Sequence, residues 1–251
     1  MKRFILFLVL TIITGCQPTK PSEPTQNIAV NTKAAAINAS AGAEYIRLGK
    51  YKSALGKLKR ALAQDPSLPE AHNMIAVLYN HLGDNKKAEY HYKQAIVYAP
   101  NYSEVHNNYG VFLCEQARYS QAEEHFLKAI SDPLYPNSAQ AYENLGLCVD
   151  KIPDATLAEK YLRTALQLDP YLRKALLKMA DLSYQNIDYL TARAYIERYR
   201  QVSNWTPKAL LLAIKIENKL GAQDKVSSYS VLLKGKFPDS EEALELRRGQ
   251  Y

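Results

Sequence analysis

Proline recurs at a nearly fixed interval in this chain of 251 residues. Pro66 and Pro100 lie 34 residues apart, and twice that interval separates Pro170 from Pro238. A 34-residue period is typical of a unit made of two antiparallel helices, which buries its apolar face by stacking on copies of itself. The period therefore predicts an elongated helical array.

Small residues recur with the same period. When each unit is numbered so that the proline is position 32, position 8 holds glycine or alanine in the first five units, and position 20 holds alanine. Small side chains are needed there because the two helices of a unit cross closely. The pattern resembles the tetratricopeptide repeat and predicts an all-α fold, a right-handed superhelical solenoid.

The domain is predicted to span residues 35–251 and to contain six repeats with a C-terminal capping helix. The predicted repeats are residues 35–68, 69–102, 103–138, 139–172, 173–206 and 207–238. Residues 132–138 interrupt the third repeat. Residues 239–242 are typical of a capping box, which opens a helix predicted to end near Gln250.

The first residues predict export and lipidation. Lys2 and Arg3 precede an apolar run over residues 4–13, which is too short to span a bilayer as a helix. Ile13-Thr14-Gly15-Cys16 then resembles the lipobox of bacterial lipoproteins, so residues 1–15 are predicted to be a lipoprotein signal peptide and Cys16 to be acylated. An ordinary signal peptide with a chance cysteine is the alternative. Gln17 directly follows the cysteine and resembles the sorting signal of lipoproteins that are sent to the outer membrane.

Residues 16–34 contain three prolines and few apolar groups, so they predict a flexible tether between the lipid and the domain. Without residues 1–15, which hold two basic and no acidic residues, the formal net charge falls from +7 to +5. The charges are interspersed, and no basic run favours a nucleic-acid partner.

The sequence contains none of the usual catalytic or cofactor-binding motifs, such as a glycine-rich phosphate loop or a nucleophile elbow. We therefore predict no enzyme, no cofactor, no metal and no small-molecule substrate. His72 and His106 occupy position 4 of consecutive repeats. This placement is compatible with a pair of metal ligands or with a packing role for both side chains. Packing is favoured because the spacing implies no further metal ligand. His81, His91 and His125 are predicted to lie at the surface or groove edge.

Cys114 and Cys148 lie one period apart on the first helices of repeats three and four. The first helices of neighbouring repeats pack side by side, and the compartment of a lipoprotein is oxidising. The spacing is compatible with a disulfide bond and also with two buried thiols, since a two-position offset in the repeat frame blurs the register.

Positions 2, 5, 9 and 12 of each first helix are predicted to line the concave face, where a partner would bind. They give an apolar shelf that continues between amide side chains. The predicted partner-binding residues are Ala36, Ala39, Ala43, Ile46, Asn73, Val77, Asn107 and Val111. Alternatively, the alanines of repeat one serve only as good helix formers, or the tether folds back over them.

Residues 105–148 carry a more specific resemblance. The sequences NNYG at Asn107, FLC ending at Cys114, the proline-bearing loop and ENLGLC ending at Cys148 resemble the PilF/PilW family of type IV pilus biogenesis lipoproteins. The resemblance implies a pilotin, which carries a secretin subunit of the PilQ type to the outer membrane and promotes its multimer assembly. It also implies a disulfide between Cys114 and Cys148. A lipoprotein adaptor for another envelope assembly machine is the alternative function.

Overall fold

A computed structural model describes residues 31–152 and 155–249 of the chain. The predicted signal peptide, Cys16 and most of the predicted tether lie outside the described residues. The described residues form thirteen α-helices and no strand. The helices are α1 (Thr32–Arg47), α2 (Tyr51–Gln64), α3 (Pro69–His81), α4 (Asn85–Tyr98), α5 (Ser103–Glu115), α6 (Tyr119–Ile130), α7 (Ser138–Val149), α8 (Ala155–Leu168), α9 (Arg173–Gln185), α10 (Tyr189–Val202), α11 (Pro207–Lys219), α12 (Gln223–Lys236) and α13 (Glu241–Arg247).

The twelve longer helices pair in sequence order, which confirms the six predicted repeats. The odd-numbered helix of each pair is called its A helix and the even-numbered one its B helix. The predicted start of the domain is three residues late, because α1 begins at Thr32. The side chain of Asn31 accepts a hydrogen bond from the Ala34 N–H, and the Asn31 N–H donates to the Gln64 carbonyl at 3.1 Å.

Glycine at position 8 allows the A and B helices of a repeat to touch. A Cβ added to Gly110 would lie 2.8 Å from Cε1 of Phe126, and one added to Gly146 would lie 2.7 Å from Cγ of Leu162. Phe126 and Leu162 are completely buried. The predicted reason for small residues at this position is therefore confirmed.

The core is a chain of clusters along the solenoid. Buried alanines at position 20, such as Ala122 and Ala192, lie among larger side chains from the A helices of the same and the next repeat. One cluster joins α3–α8, and another joins α8–α11. Each repeat thus buries its apolar face against its neighbours, as the 34-residue period requires.

The last helix covers the end of the array. Ala243 and Leu246 of α13 are buried against Leu210 and Ile214 of α11. The Ser240 hydroxyl accepts a hydrogen bond from the Ala243 N–H at 3.1 Å. The predicted reciprocal capping box is wrong, because the third helical position is Ala243 and not a glutamate, and α13 ends at Arg247.

Candidate partner-binding groove

The A helices of repeats two to five enclose an open groove with a volume of about 730 Å³. Its lining comes mainly from α3, α5, α7 and the first turn of α9, with Tyr135 and Asn137 from the loop between α6 and α7. The predicted concave face therefore exists, but this groove is centred further along the chain than repeats one to three.

Four asparagine side chains, here called the amide ladder, are linked along the groove. Asn144 donates to Asn107 at 3.0 Å, Asn107 donates to Asn108 at 3.4 Å, and Asn108 donates to Asn73 at 3.3 Å. The ladder crosses three A helices, α7, α5 and α3. Asn108 and Asn144 remain half-exposed, so amide groups face the groove.

The two ends of the amide ladder differ. At one end the Nδ2 of the fully buried Asn73 has no hydrogen-bond partner within residues 31–152 and 155–249. At the other end Gln140 donates to Asn144 and to the buried carboxylate of Glu143. Glu143 also accepts the Ala175 N–H at 2.8 Å, and so caps the N-terminus of α9, whose own N-cap residue Leu172 makes no side-chain bond.

The insertion over residues 132–138 builds one wall of the groove. The Tyr135 hydroxyl donates to Glu104 at 2.8 Å, and Asn137 donates to the same carboxylate oxygen at 3.2 Å. Burial and the neighbouring Glu104 raise the pKa of Tyr135, so this hydroxyl remains a donor at all physiological pH values. Leu134, next in the loop, is 86% exposed.

The predicted binding residues fall into two groups. Ala36 is exposed, and Ala43, Ile46, Val77 and Val111 are partly exposed.

Ala39 and Asn73 are buried, and Asn107 is only 6% exposed. The prediction that Ala39 and Asn73 contact a partner is wrong, because both side chains are buried between neighbouring A helices. Val77, Asn107 and Val111 do line the groove, whereas no residue of repeat one does.

Sequence reasoning missed the groove residues Asn108 and Asn144 on the A helices, whereas Gln140 occupies the predicted position 2 of repeat four. Asn108 and Asn144 both occupy position 6, one place beyond the predicted position 5. Asparagine is a poor helix former, so its presence in the middle of two A helices was a usable signal. The loop residue Tyr135 had no periodic signal.

Charge is distributed unevenly along the groove. Glu104 and Glu115 lie on the side of repeat three, and Glu115 also accepts a hydrogen bond from Asn80 at 2.8 Å. Arg173 and Lys174 line the groove from repeat five, on the exposed first turn of α9. A ligand of mixed charge therefore has a preferred direction in the groove.

The structure joins the two predicted cysteines. Cys114 on α5 and Cys148 on α7 have Sγ atoms 2.19 Å apart and Cα atoms 5.9 Å apart. The Cα separation is within the usual range for a disulfide. Oxidation of this pair in the mature protein stays a prediction.

The histidines are arranged differently from the prediction. His72 and His106 do not pair with each other, since each faces a histidine on the B helix of its own repeat. The Nδ1 atoms of His72 and His91 are 3.0 Å apart, and those of His106 and His125 are 2.8 Å apart. The predicted surface position of His91 and His125 is wrong because both are half-buried at this contact. In the part of the chain that the structure describes, no three His, Cys, Asp or Glu side chains gather as metal ligands.

Comparison with known proteins agrees with the repeat pattern. The tetratricopeptide repeat family matches residues 40–105 and 113–172, and a related tetratricopeptide repeat profile matches residues 91–124. A curated relative, the type IV pilus assembly protein PilF of Pseudomonas aeruginosa, is 32% identical over 121 residues. That alignment covers 48% of each chain, so the chain matches about half the length of this relative.

Two solved structures are similar over nearly their whole length. A structure reported for the functional characterisation of Pseudomonas aeruginosa PilF has a TM-score of 0.82 and 32% identity, and covers 86% of this chain and 98% of its own. The crystal structure of PilW, a widely conserved type IV pilus biogenesis factor, has a TM-score of 0.77 and 32% identity, with 84% and 97% covered. The chain belongs to the PilF/PilW family of tetratricopeptide-repeat proteins. This homology supports a role in type IV pilus biogenesis.

Within the described ranges, no helix of this family member is long and apolar enough to cross a membrane.

Proposed function

We propose that this PilF/PilW family member is an outer-membrane lipoprotein that binds the secretin subunit of the type IV pilus, of the PilQ type. In this proposal it promotes localisation of the secretin to the outer membrane and its assembly into multimers. Homology supports the pilus role, and the repeat fold favours protein binding over catalysis. The observation that carries the proposal is the amide ladder beside apolar side chains in a groove of about 730 Å³.

The groove suits an extended polypeptide segment. Asn108 and Asn144 offer donors and acceptors to a peptide backbone, whose polar groups must stay hydrogen-bonded when they are buried. Val77, Val111 and Leu147 are half-buried and follow the same face, so they offer apolar contact to alternate side chains of the segment. The acidic groups of repeat three and the basic groups of repeat five then favour one direction of the segment.

Repeat one supplies a second contact area in this proposal. Ala36 is exposed, Ala43 and Ile46 are half-exposed, and Ile37 on the neighbouring face of α1 is 63% exposed. These side chains lie on α1, the first helix of the described domain.

The membrane anchor belongs to the same proposal. Acylation of Cys16 and a tether over residues 16–34 would hold the solenoid beneath the outer membrane, because several acyl chains bind a membrane stably where a single one does not. Mass spectrometry of the membrane-extracted protein tests this directly, since an unmodified Cys16 at the mature N-terminus contradicts it.

Binding is tested with a charge placed in the groove. Val111→Glu should raise the dissociation constant for the soluble periplasmic part of the secretin at least tenfold, because a carboxylate would be desolvated against an apolar partner. The matched control is Leu127→Glu, the same kind of change on α6 of the same repeat, where Leu127 is 42% exposed outside the groove. The control should change the constant less than twofold.

Circular dichroism establishes first that both variants keep the helical fold. If Val111→Glu is folded and binds the secretin as tightly as the control, the groove is not the binding site. If the unmodified protein binds no secretin but retains another envelope assembly machine, the adaptor function replaces the proposal.

A further inference from the structure

Four of the five histidines of the chain form two equivalent pairs. The pairs are His72 with His91 and His106 with His125, here called the histidine pairs, and both members recur after 34 residues. Each joins the A helix to the B helix within repeat two or three. The fifth histidine, His81, is exposed.

The contacts of each pair fix where its protons lie. The Nε2 of His72 is 3.1 Å from the Pro66 carbonyl oxygen, which can only accept, so this Nε2 carries the hydrogen. In a neutral imidazole the Nδ1 of His72 is then an acceptor, and the facing Nδ1 of His91 must donate across 3.0 Å. The same argument applies to His106, whose Nε2 is 2.8 Å from the Pro100 carbonyl oxygen.

Each pair therefore holds three parts of the solenoid together when it is neutral. His106, for example, links α5 to α6 and to the turn before α5, which contains Pro100. A proton added to the Nδ1 of His72 or His106 would place two N–H groups against each other and break the link. A proton added to His91 or His125 creates a charge in a half-buried position between helices.

Burial is the main influence on these groups. It lowers the pKa of His72 and His106, and it lowers the pKa of His91 and His125 to about 4, with a further contribution from the facing histidine.

The first pair is surrounded by aromatic rings. Tyr79, Tyr90 and Tyr98 lie with ring centroids between 5.1 and 5.9 Å from a histidine of the pair. Burial lowers the pKa of both histidines of this pair, the facing His72 lowers that of His91 further, and the hydrogen bond to the Pro66 carbonyl partly offsets the effect of burial on His72.

The second pair has charged neighbours as well as the ring of Tyr109. Lys128 and Arg118 oppose protonation of His125, whereas Glu124 favours it. Lys128 and Glu124 form an ion pair at 2.7 Å, so their opposite effects largely cancel. A cavity of about 500 Å³, also lined by Asp132, lies beside this pair and gives solvent access to it.

We propose that the histidine pairs are an acid-sensitive link between the helices of repeats two and three. The neutral pairs hold α3 against α4 and α5 against α6, and protonation in mild acid releases both contacts. Because α3 and α5 carry Val77, Asn107 and Val111, acid would loosen this half of the groove and leave the repeats after it unaffected. The proposal does not depend on which partner the groove binds.

The pH dependence follows from linkage. The folded-state pKa of each histidine is lowered below its unfolded value of about 6.5, so the unfolded chain binds more protons between pH 6.5 and 4. The stabilisation is fully present above about pH 6.5 and is lost as the pH falls toward 4. The folded pKa values of His91 and His125 are about 4. Each of the two should therefore lower the folding equilibrium constant at pH 5 about 30-fold relative to its value above pH 6.5.

The test compares urea unfolding of the mature soluble domain at pH 7.5 and pH 5.0. The folding equilibrium constant of the unmodified protein should fall between pH 7.5 and pH 5.0. In the double variant His91→Gln/His125→Gln this fall should be smaller by a factor of several hundred. The control His81→Gln removes an exposed histidine, and its folding equilibrium constant should fall between the two pH values as much as that of the unmodified protein. Equal pH dependence of the double variant and the unmodified protein would overturn the proposal.

A second measurement needs no substitution. Nitrogen-15 NMR at pH 7.5 should find the hydrogen on Nε2 in His72 and His106 and on Nδ1 in His91 and His125. Hydrogen exchange at pH 5.0, corrected for intrinsic rates, should show faster opening of α3–α6 than of α9–α12. A hydrogen on Nε2 in both members of a pair, or uniform opening along the chain, contradicts the proposal even if the double variant fails to fold.

Discussion

The A helices of repeats two to four and those of repeats five and six use the same backbone for different purposes. In the first region polar side chains, including Asn73, Asn107 and Glu143, are buried where neighbouring A helices pack together. In the second region Leu210, Leu211 and neighbouring apolar residues of α11 fill the corresponding space. The first region keeps the amide groups that can bind a partner, whereas the second contributes little more than the first turn of α9 to the groove and is built mainly for stability.

The one buried carboxylate of α11 fits this contrast. Glu217 is 1% exposed, and it accepts hydrogen bonds from Arg193 and Lys225. None of these three residues lines the groove, so Glu217 links α10 and α12 to α11 and presents nothing to a ligand there. Glu143 in repeat four instead orients Gln140, which lines the groove.

The largest expected effect concerns the link between repeats three and four. Cys114→Ala/Cys148→Ala should lower the free energy of unfolding by about 2–5 kcal/mol, because the cross-link restricts the unfolded chain over 34 residues. Denaturant unfolding measures this, and a reducing agent should lower the unmodified protein to the same stability. Mass spectrometry that finds two free thiols in the mature protein would refute the disulfide.

A smaller effect separates the two regions by function. Glu143→Gln and Glu217→Gln should each cost about 1.5–3 kcal/mol of unfolding free energy, since each removes the carboxylate acceptor from a buried hydrogen-bonded position. Only Glu143→Gln should also weaken secretin binding, because it disturbs Gln140 and the amide ladder. Equal losses of binding in two folded variants would contradict the assignment of separate roles.

The smallest effect is expected at Asn73. Its Nδ2 makes no hydrogen bond within the described residues, and its Oδ1 accepts a long one from Asn108. Asn73→Leu should therefore change the free energy of unfolding by less than about 1 kcal/mol in either direction. The isosteric change Leu78→Asn on the same helix, where Leu78 is fully buried, provides the contrast and should be strongly destabilising.

Much of the architecture was predictable because it depends on residues that recur. The 34-residue period gave six helix pairs, and the small residues at position 8, such as Gly110, marked where the helices of a pair touch. The concave face was predicted in the right helices, and Val77, Asn107 and Val111 line the groove. Ala39 and Asn73 were misassigned because a helical period does not show how far each A helix rotates toward its neighbour.

Sequence by itself determined the repeat number, the pairing of helices and the family, since these depend on local spacing and on motifs such as NNYG. Tertiary structure alone decided which side chains meet across 19 to 37 residues. The amide ladder, the contact of Tyr135 with Glu104 and the histidine pairs all depend on the packing angle between helices and on the path of an irregular loop. The histidines do recur after 34 residues, but that recurrence marks equivalent places in two repeats and does not show which side chains meet there. The path of the irregular loop is not periodic, so it leaves no pattern in the amino-acid sequence.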